Sequence, residues 1–284
     1  MTRTSAQSDE GFAFDLEAYM ATERGRVESA LVRALDAVDR RVDPSLRDPV
    51  RHGVLGGGKR LRPILCVASY EACGGRDLDR AADLGAAVEM IHAYSLMHDD
   101  LPCMDDADLR RGQPTTHRLF GGAVTMAAGA ALIPLALTQA LDAARALECG
   151  SDRTRLILGC RAAAAGAGGM VGGQFLDLMG EGQALDAESL TELHRRKTGA
   201  LITAPLEMGG LAAGASDRRM ATLRRYGSAV GLAFQIADDI LDATSDADAL
   251  GKNPSDAELE KSTYVGLFGL QEAGRRANAL VADA

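Results

Sequence analysis

Tryptophan is absent from this chain of 284 residues, and aromatic residues make up only 4% of it. A core must therefore be filled by Ala, Leu, Val, Ile and Met. With aromatic and β-branched runs scarce, that composition favours helix packed on helix. Cysteine is sparse. The five residues, at 66, 73, 103, 149 and 160, are odd in number and lack metal or disulfide spacing, which suits a reduced cytoplasmic protein. Positive charge is in deficit, and the net charge of −9 argues against general nucleic-acid binding. The polar start, Met1 to Asp9, lacks the hydrophobic region of a signal peptide. No charge-free apolar run reaches the roughly 18 residues of a membrane span. The stretch 119–141 comes nearest, but it is rich in Gly and Ala and interrupted by Pro134, so it is expected to be a buried core helix.

What is present is helical periodicity. Residues 1–11 are expected to be a disordered tail and 12–284 one all-α domain. Over 12–42 the spacing of Leu16, Met20, Val27, Leu31, Leu35 and Val38 is that of a helix, ended by Asp43-Pro44. A glycine run, Gly56-Gly57-Gly58, precedes Lys59-Arg60-Leu61-Arg62-Pro63 and an apolar segment over 64–73. Residues 78–101 predict one long helix, broken at Pro102. An Ala-rich helix follows to about residue 147, and further helices are expected over 153–167, 187–213, 217–243 and 257–281. Pro134 and Pro205 fall inside expected helices and should kink or break them.

Two aspartate clusters sit on these apolar stretches: Asp99-Asp100 with Asp105-Asp106, and Asp238-Asp239 with Asp242. Carboxylates are costly among apolar side chains unless paired, and a hard cation such as Mg²⁺, completed by phosphate oxygens, is a natural partner. Asp238 and Asp242 are four apart and share a helix face with Gln235. That spacing alone is a weak signal, since Asp is common here. On an unbroken helix Asp99 and Asp105 would lie about 120° and about 9 Å apart, too far to share a metal. Pro102 allows the chain to bulge and return Asp105 towards Asp99. His92, two turns before Asp99 on the same face, has the spacing of a core histidine.

Cations complete the pattern. Gly58, Lys59, Arg60 and Arg62 combine pliable backbone with charge suited to phosphate, although no Walker loop is present. Arg110-Arg111, Lys197 and Lys252 add more. Each alone has the look of a solvated surface charge. Together with two acidic clusters they describe a site for two diphosphates, one held through metal and one by direct cation contact.

The segments GGKRLRP (57–63), IHAYSLMHDDLPCMDDADLRRGQPTTH (91–117), GMVGGQFLDL (169–178), HRRKTGALI (194–202), FQIADDILD (234–242), LGK (250–252) and EKSTY (260–264) together resemble the trans-isoprenyl diphosphate synthases, most closely their bacterial short-chain farnesyl branch. The resemblance implies an all-α, single-domain bundle of the isoprenoid synthase type around a central active-site cavity, cytoplasmic and homodimeric. It implies isopentenyl and allylic diphosphates as substrates and Mg²⁺, three ions per site, as cofactor. By the same resemblance Asp99, Asp105 and Asp238 would ligate Mg²⁺, with Asp100 and Asp242 supporting. Arg110, Lys197 and Lys252 would contact the allylic diphosphate, while Gly58, Lys59, Arg62, His92 and Arg111 would bind isopentenyl diphosphate. Thr198 and Gln235 would line the reacting centre, and Tyr94 and Ser95 would form the floor that limits product length. Helix geometry aligns Ser95 with Asp99 better than Tyr94, whose role rests on the resemblance alone. A bulky Tyr94 with a two-residue insertion in the first motif points to farnesyl diphosphate. The Cys103-Met104 pair is shared with geranylgeranyl synthases, and a regulatory subunit of a heteromeric synthase is the non-catalytic alternative. The sequence departs from the family at Gly121-Gly122 and at Ala130, and no counterpart of the family's final helical segment follows EKSTY.

Overall fold

The computed structural model describes residues 14–244 and 262–284, so the expected tail over 1–11, Lys252 and residues 257–261 lie outside the described residues. The described chain is helical throughout, apart from one two-stranded hairpin. Helices α1 (Leu16–Val38), α2 (Pro44–Leu55) and α3 (Leu61–Ala72) lead to α4 (Leu78–Asp99). The hairpin pairs β1 (Leu109–Arg110) with β2 (Gln113–Pro114). Then come α5 (Thr116–Phe120), α6 (Gly122–Ala146), α7 (Ser151–Ala165), α8 (Met170–Met179) and α9 (Ala187–His194). A π-helical turn, Arg195–Gly199, joins α9 to α10 (Ala200–Ala212). The chain continues through α11 (Asp217–Thr244), α12 (Tyr264–Phe268) and α13 (Leu270–Asp283).

The helix starts are written in short acidic side chains. Asp15, Asp43, Asp77 and Asp186 each accept a hydrogen bond from a backbone N–H in the first turn of the helix that follows. Asp43-Pro44, read from sequence as a terminator, also starts a helix: Pro44 opens α2, where its missing N–H costs nothing.

Helix α4 forms the axis of the bundle. Every residue from Ala81 to Ile91 is buried, which a helix can sustain only when neighbours cover all its faces. Helices α1, α2, α3, α6 and α10 provide that cover. The filling is mostly Ala, Val, Leu, Ile and Met, as the lack of aromatics requires. Helices α6 and α10 run on through Pro134 and Pro205, so neither proline breaks its helix. The expected helix over 187–213 contains the π-helical turn, and the Ala-rich segment is divided at Gly121.

The apolar stretch expected to be a buried core helix is only partly so. One face of α6, with Ala128, Leu132, Ala136 and Ala140, enters the core, while Met126, Ile133 and Leu137 are exposed. By length and composition Gly122–Ala146 and Ser151–Met179 could each cross a membrane, but the second is divided into α7 and α8 between residues 166 and 169.

Candidate active site

Helix α4 ends at Asp99, and the next residues coil back on it. Leu101 N–H donates to His98 O at 3.1 Å and Asp105 N–H to Asp99 O at 2.9 Å, so the turn around Pro102 brings the two halves of the first acidic cluster together. Burial pushes the Asp99 carboxyl up to about 6; Asp105 and Asp100 push the same way, while Lys197 and Arg110 pull it down. Burial also raises Asp100, against its pairing with Arg110, whose Nε donates to Asp100 Oδ1 at 2.9 Å. Crowded, desolvated carboxylates of this kind gain from a cation, and an all-oxygen donor set suits Mg²⁺. Among the described residues no three His, Cys, Asp or Glu groups gather closely enough to hold a metal unaided.

The hairpin delivers the cations. Its turn residues Arg111 and Gly112 both adopt positive φ, 56° and 76°, as a tight two-residue hairpin requires. The strands then send Arg110 to Asp100, and Arg111 towards the glycine loop after α2. Gly58 sits there at φ 121°, and a Cβ on it would run into the Arg111 guanidinium. Arg62 Nη1 lies 3.3 Å and Arg111 Nη2 3.4 Å from His92 Nε2. Burial and the two guanidinium charges hold His92 well below its ordinary range, so it is neutral at pH 7 and offers Nε2 as an acceptor. Burial likewise lowers Arg62, with Arg111 adding to the effect and Glu89 and Asp238 opposing it. The result is a concentration of positive charge short of counter-charge, which favours an anion. Lys59 is exposed beside it.

These cations depend on a buried ion-pair triad that sequence reasoning missed. Arg60, 3% exposed, adopts the left-handed region at φ 52°. Its Nε donates to Glu28 and its Nη1 to Glu89, each at 2.8 Å. Glu89, one turn before His92 on α4, thereby anchors the glycine loop. An acid within the otherwise apolar stretch 84–91 was the available signal.

The opposite wall comes from the π-helical turn and α11. Lys197 Nζ pairs with Asp177 Oδ2 at 2.5 Å, so the expected diphosphate contact begins, without ligand, as an internal ion pair. Thr198 donates to Gln235 Oε1 at 2.7 Å. Close approach of backbones makes this possible: a Cβ on Gly231 would lie 2.9 Å from Gly199 Cα, and one on Gly173 would strike the Lys197 backbone. Lys197 acts on Asp99 and Asp238 acts on Arg62, so the walls that carry the two acidic clusters influence each other. Asp242 lies one turn beyond Asp238 on α11. On α4, Ser95 is buried, with Oγ donating to His92 O at 2.9 Å. Tyr94 is half-buried, its ring 4.7 Å from that of His98 and edge-on to it. Asp177 and Asp239 were not given roles from sequence. The first lies on α8, which was not expected as a helix; the second was read only as part of an acidic cluster.

The polyprenyl synthetase family profile matches residues 43–283. The farnesyl diphosphate synthase of Escherichia coli is 44% identical over 269 residues, covering 91% of this chain and 89% of that protein. The chloroplastic geranylgeranyl pyrophosphate synthase of Catharanthus roseus is 40% identical over 274 residues, covering 96% of this chain and 75% of that protein. Among solved structures, a geranyltransferase from Helicobacter pylori complexed with magnesium and isoprenyl diphosphate superposes with a TM-score of 0.78 at 29% identity, over 95% of this chain and 90% of that one.

Proposed function

The chain belongs to the polyprenyl synthetase family and is a short-chain trans-prenyl diphosphate synthase, and within that family we propose that it makes farnesyl diphosphate. Isopentenyl diphosphate would be condensed first with dimethylallyl diphosphate and then with geranyl diphosphate. The observation that carries the reading is the division of charge along α4. Acids gather around Asp99, and two turns earlier guanidiniums gather around His92.

Asp99, Asp105 and Asp238, supported by Asp100 and Asp242, would hold Mg²⁺ against the allylic diphosphate. Bound there, the metal would supply positive charge as the leaving group departs. Arg110, Lys197 and Lys252 would grip the same diphosphate, Lys197 exchanging Asp177 for it. Gly58, Lys59, Arg62, His92 and Arg111 would hold isopentenyl diphosphate; His92, neutral, would act mainly by spacing the two guanidiniums. The allylic C–O bond breaks, the isopentenyl double bond supplies the electron pair for the new C–C bond, and a proton passes to the released diphosphate. Thr198 and Gln235 would border the reacting carbons, and the apolar cavity would keep water out.

Ser95 and Tyr94, four and five residues before Asp99, would form the floor. Tyr94 supports the farnesyl product because its ring already packs on His98, and both rings lie against Gly129, where a Cβ would strike His98 and come within 3.6 Å of Tyr94. A geranylgeranyl product is the second reading, favoured by the Cys103-Met104 pair and by the relative from Catharanthus roseus. The exposed apolar stripe of α6, Met126, Ile133 and Leu137, supports a homodimer, and five unbridged cysteines support a reducing, cytoplasmic setting. The proposed domain runs over 12–284.

The test is product analysis with Mg²⁺, isopentenyl diphosphate and, separately, dimethylallyl, geranyl and farnesyl diphosphates. Metal-dependent farnesyl diphosphate from the two shorter primers, with little extension of the longest, is expected. Substantial geranylgeranyl product would move the assignment to the second reading. No elongation from any primer would refute the catalytic reading of the purified chain.

A further inference from the structure

We propose that the Asp239 carboxylate is a positioning residue that fixes which way the Thr198 hydroxyl points, acting through the Gln235 side-chain amide. The inference rests on reading the cavity as a prenyl-transfer site. Asp239 adjoins a proposed metal ligand, yet it is only 4% exposed and its oxygens are used inside the protein. Oδ2 accepts the backbone N–H of Tyr264 at 2.7 Å, and Oδ1 accepts Gln235 Nε2 at 3.3 Å. Gln235 Oε1 in turn accepts the Thr198 hydroxyl at 2.7 Å.

The direction of this relay follows from chemistry. Both Asp239 oxygens act as acceptors, one from the Tyr264 N–H and one from Gln235, so Gln235 turns its NH₂ towards Asp239. Its carbonyl oxygen then faces Thr198, and Thr198 must donate. The single hydroxyl proton is used, and both lone pairs of Thr198 Oγ1 remain. An oxygen that presents only lone pairs stabilises positive charge developing nearby; the reversed hydroxyl would present its proton. The far end of the relay is held firmly. The His194 ring stacks on Tyr264 at 5.6 Å, with Nε2 3.6 Å from Asp239 Oδ2, and the Tyr264 hydroxyl lies 2.5 Å from Thr191 Oγ1. The start of α12 is thus clamped to α9 and α11, and Asp239 is the point where that clamp meets the relay.

Asp239→Asn tests the idea with almost no change in shape. Asn can still accept the Tyr264 N–H, but it can donate to Gln235, which lets the amide turn over and reverses Thr198. The expected result is a fall in kcat of about tenfold or more, of the kind produced by a misdirected dipole, with both KM values within about threefold of wild type. The metal-free melting temperature should stay within about 3 °C, because the buried pairings are kept in number. Adding Gln235→Glu restores an acceptor that takes protons from both Asn and Thr198, so the double variant should recover most of the lost kcat. In a Thr198→Ala background Asp239→Asn should cost nothing further. Should Asp239→Asn melt early, Gln235→Leu cuts the relay while sparing the Tyr264 clamp. It should lose the same kcat and show the same non-additivity with Thr198→Ala. Wild-type kcat in Asp239→Asn, a double variant no better than the single, or an undiminished loss in the Thr198→Ala background would each overturn the relay. Absence of turnover in the wild type would instead overturn the prenyl-transfer reading.

Discussion

Removing Arg60 should destabilise the fold and starve the isopentenyl diphosphate site by the same act. In Arg60→Leu, Glu89 keeps its charge at 3% exposure and loses its nearest cation. Stranding one partner of a buried pair costs about 3–5 kcal/mol. The Glu28 side, 34% exposed, adds at most about 1 kcal/mol. The left-handed backbone at φ 52° is strained for Leu as it is for Arg, so it contributes little to the difference. For a chain of this size about 4 kcal/mol corresponds to a fall in melting temperature of about 7 °C. Differential scanning calorimetry with steady-state kinetics is the assay. The KM for isopentenyl diphosphate should rise more than that for the allylic substrate, because the stranded Glu89 would draw on Arg62 and Arg111, whose charges it already influences. Arg60→Leu combined with Glu89→Leu removes the stranded charge and should recover most of the stability. A melting temperature within about 2 °C of wild type in the single variant, or no recovery in the double, would refute the reasoning.

Arg161 predicts the opposite sign. It is 5% exposed, and burial pushes its guanidinium down to about 10. With the folded value depressed below the unfolded one, stability is lost as pH falls through the interval between them, and the penalty of about 3 kcal/mol is fully present at pH 7. Its hydrogen bond to Ile133 O returns about 1 kcal/mol, so Arg161→Met should raise the melting temperature by a few degrees; a fall of similar size would show a missed partner. Asp99→Ala or Asp238→Ala should lower kcat by at least about a hundredfold with the circular dichroism spectrum unchanged, and wild-type-like turnover in either would sink its metal role. Tyr94→Ala should shift the product distribution towards longer chains by chromatography, and an unchanged distribution would remove Tyr94 from the floor.

Long amphipathic segments were legible in the sequence because helical periodicity accumulates over many residues, as over α1, α4 and α11. The return of Asp105 to Asp99 was legible from Pro102 alone, since proline leaves the chain little choice there. Helix α8 was missed because Gly169, Gly172 and Gly173 have the look of loop residues, although Gly173 serves close packing against the Lys197 backbone. The hairpin was missed because Arg111 bears positive φ without being Gly or Asn. The π-helical turn, the triad of Glu28, Arg60 and Glu89, and the relay from Asp239 to Thr198 join residues far apart in sequence or depend on register. No local pattern announces such contacts; they follow only from tertiary packing.

Helix α4 also serves as a ruler. Glu89, His92 and Asp99 all project from one unbroken rod that is buried on every side over much of its length. His92 and Asp99 are separated by a rise of about 10.5 Å and by almost no rotation. The spacing between the two proposed diphosphate sites is therefore set by helical pitch rather than by loops, and substrate closure cannot alter it. Inserting a single residue between them would turn one site about 100° away from the other while leaving each locally intact. Such an enzyme would retain the groups needed to hold each diphosphate and lose the reaction that needs both.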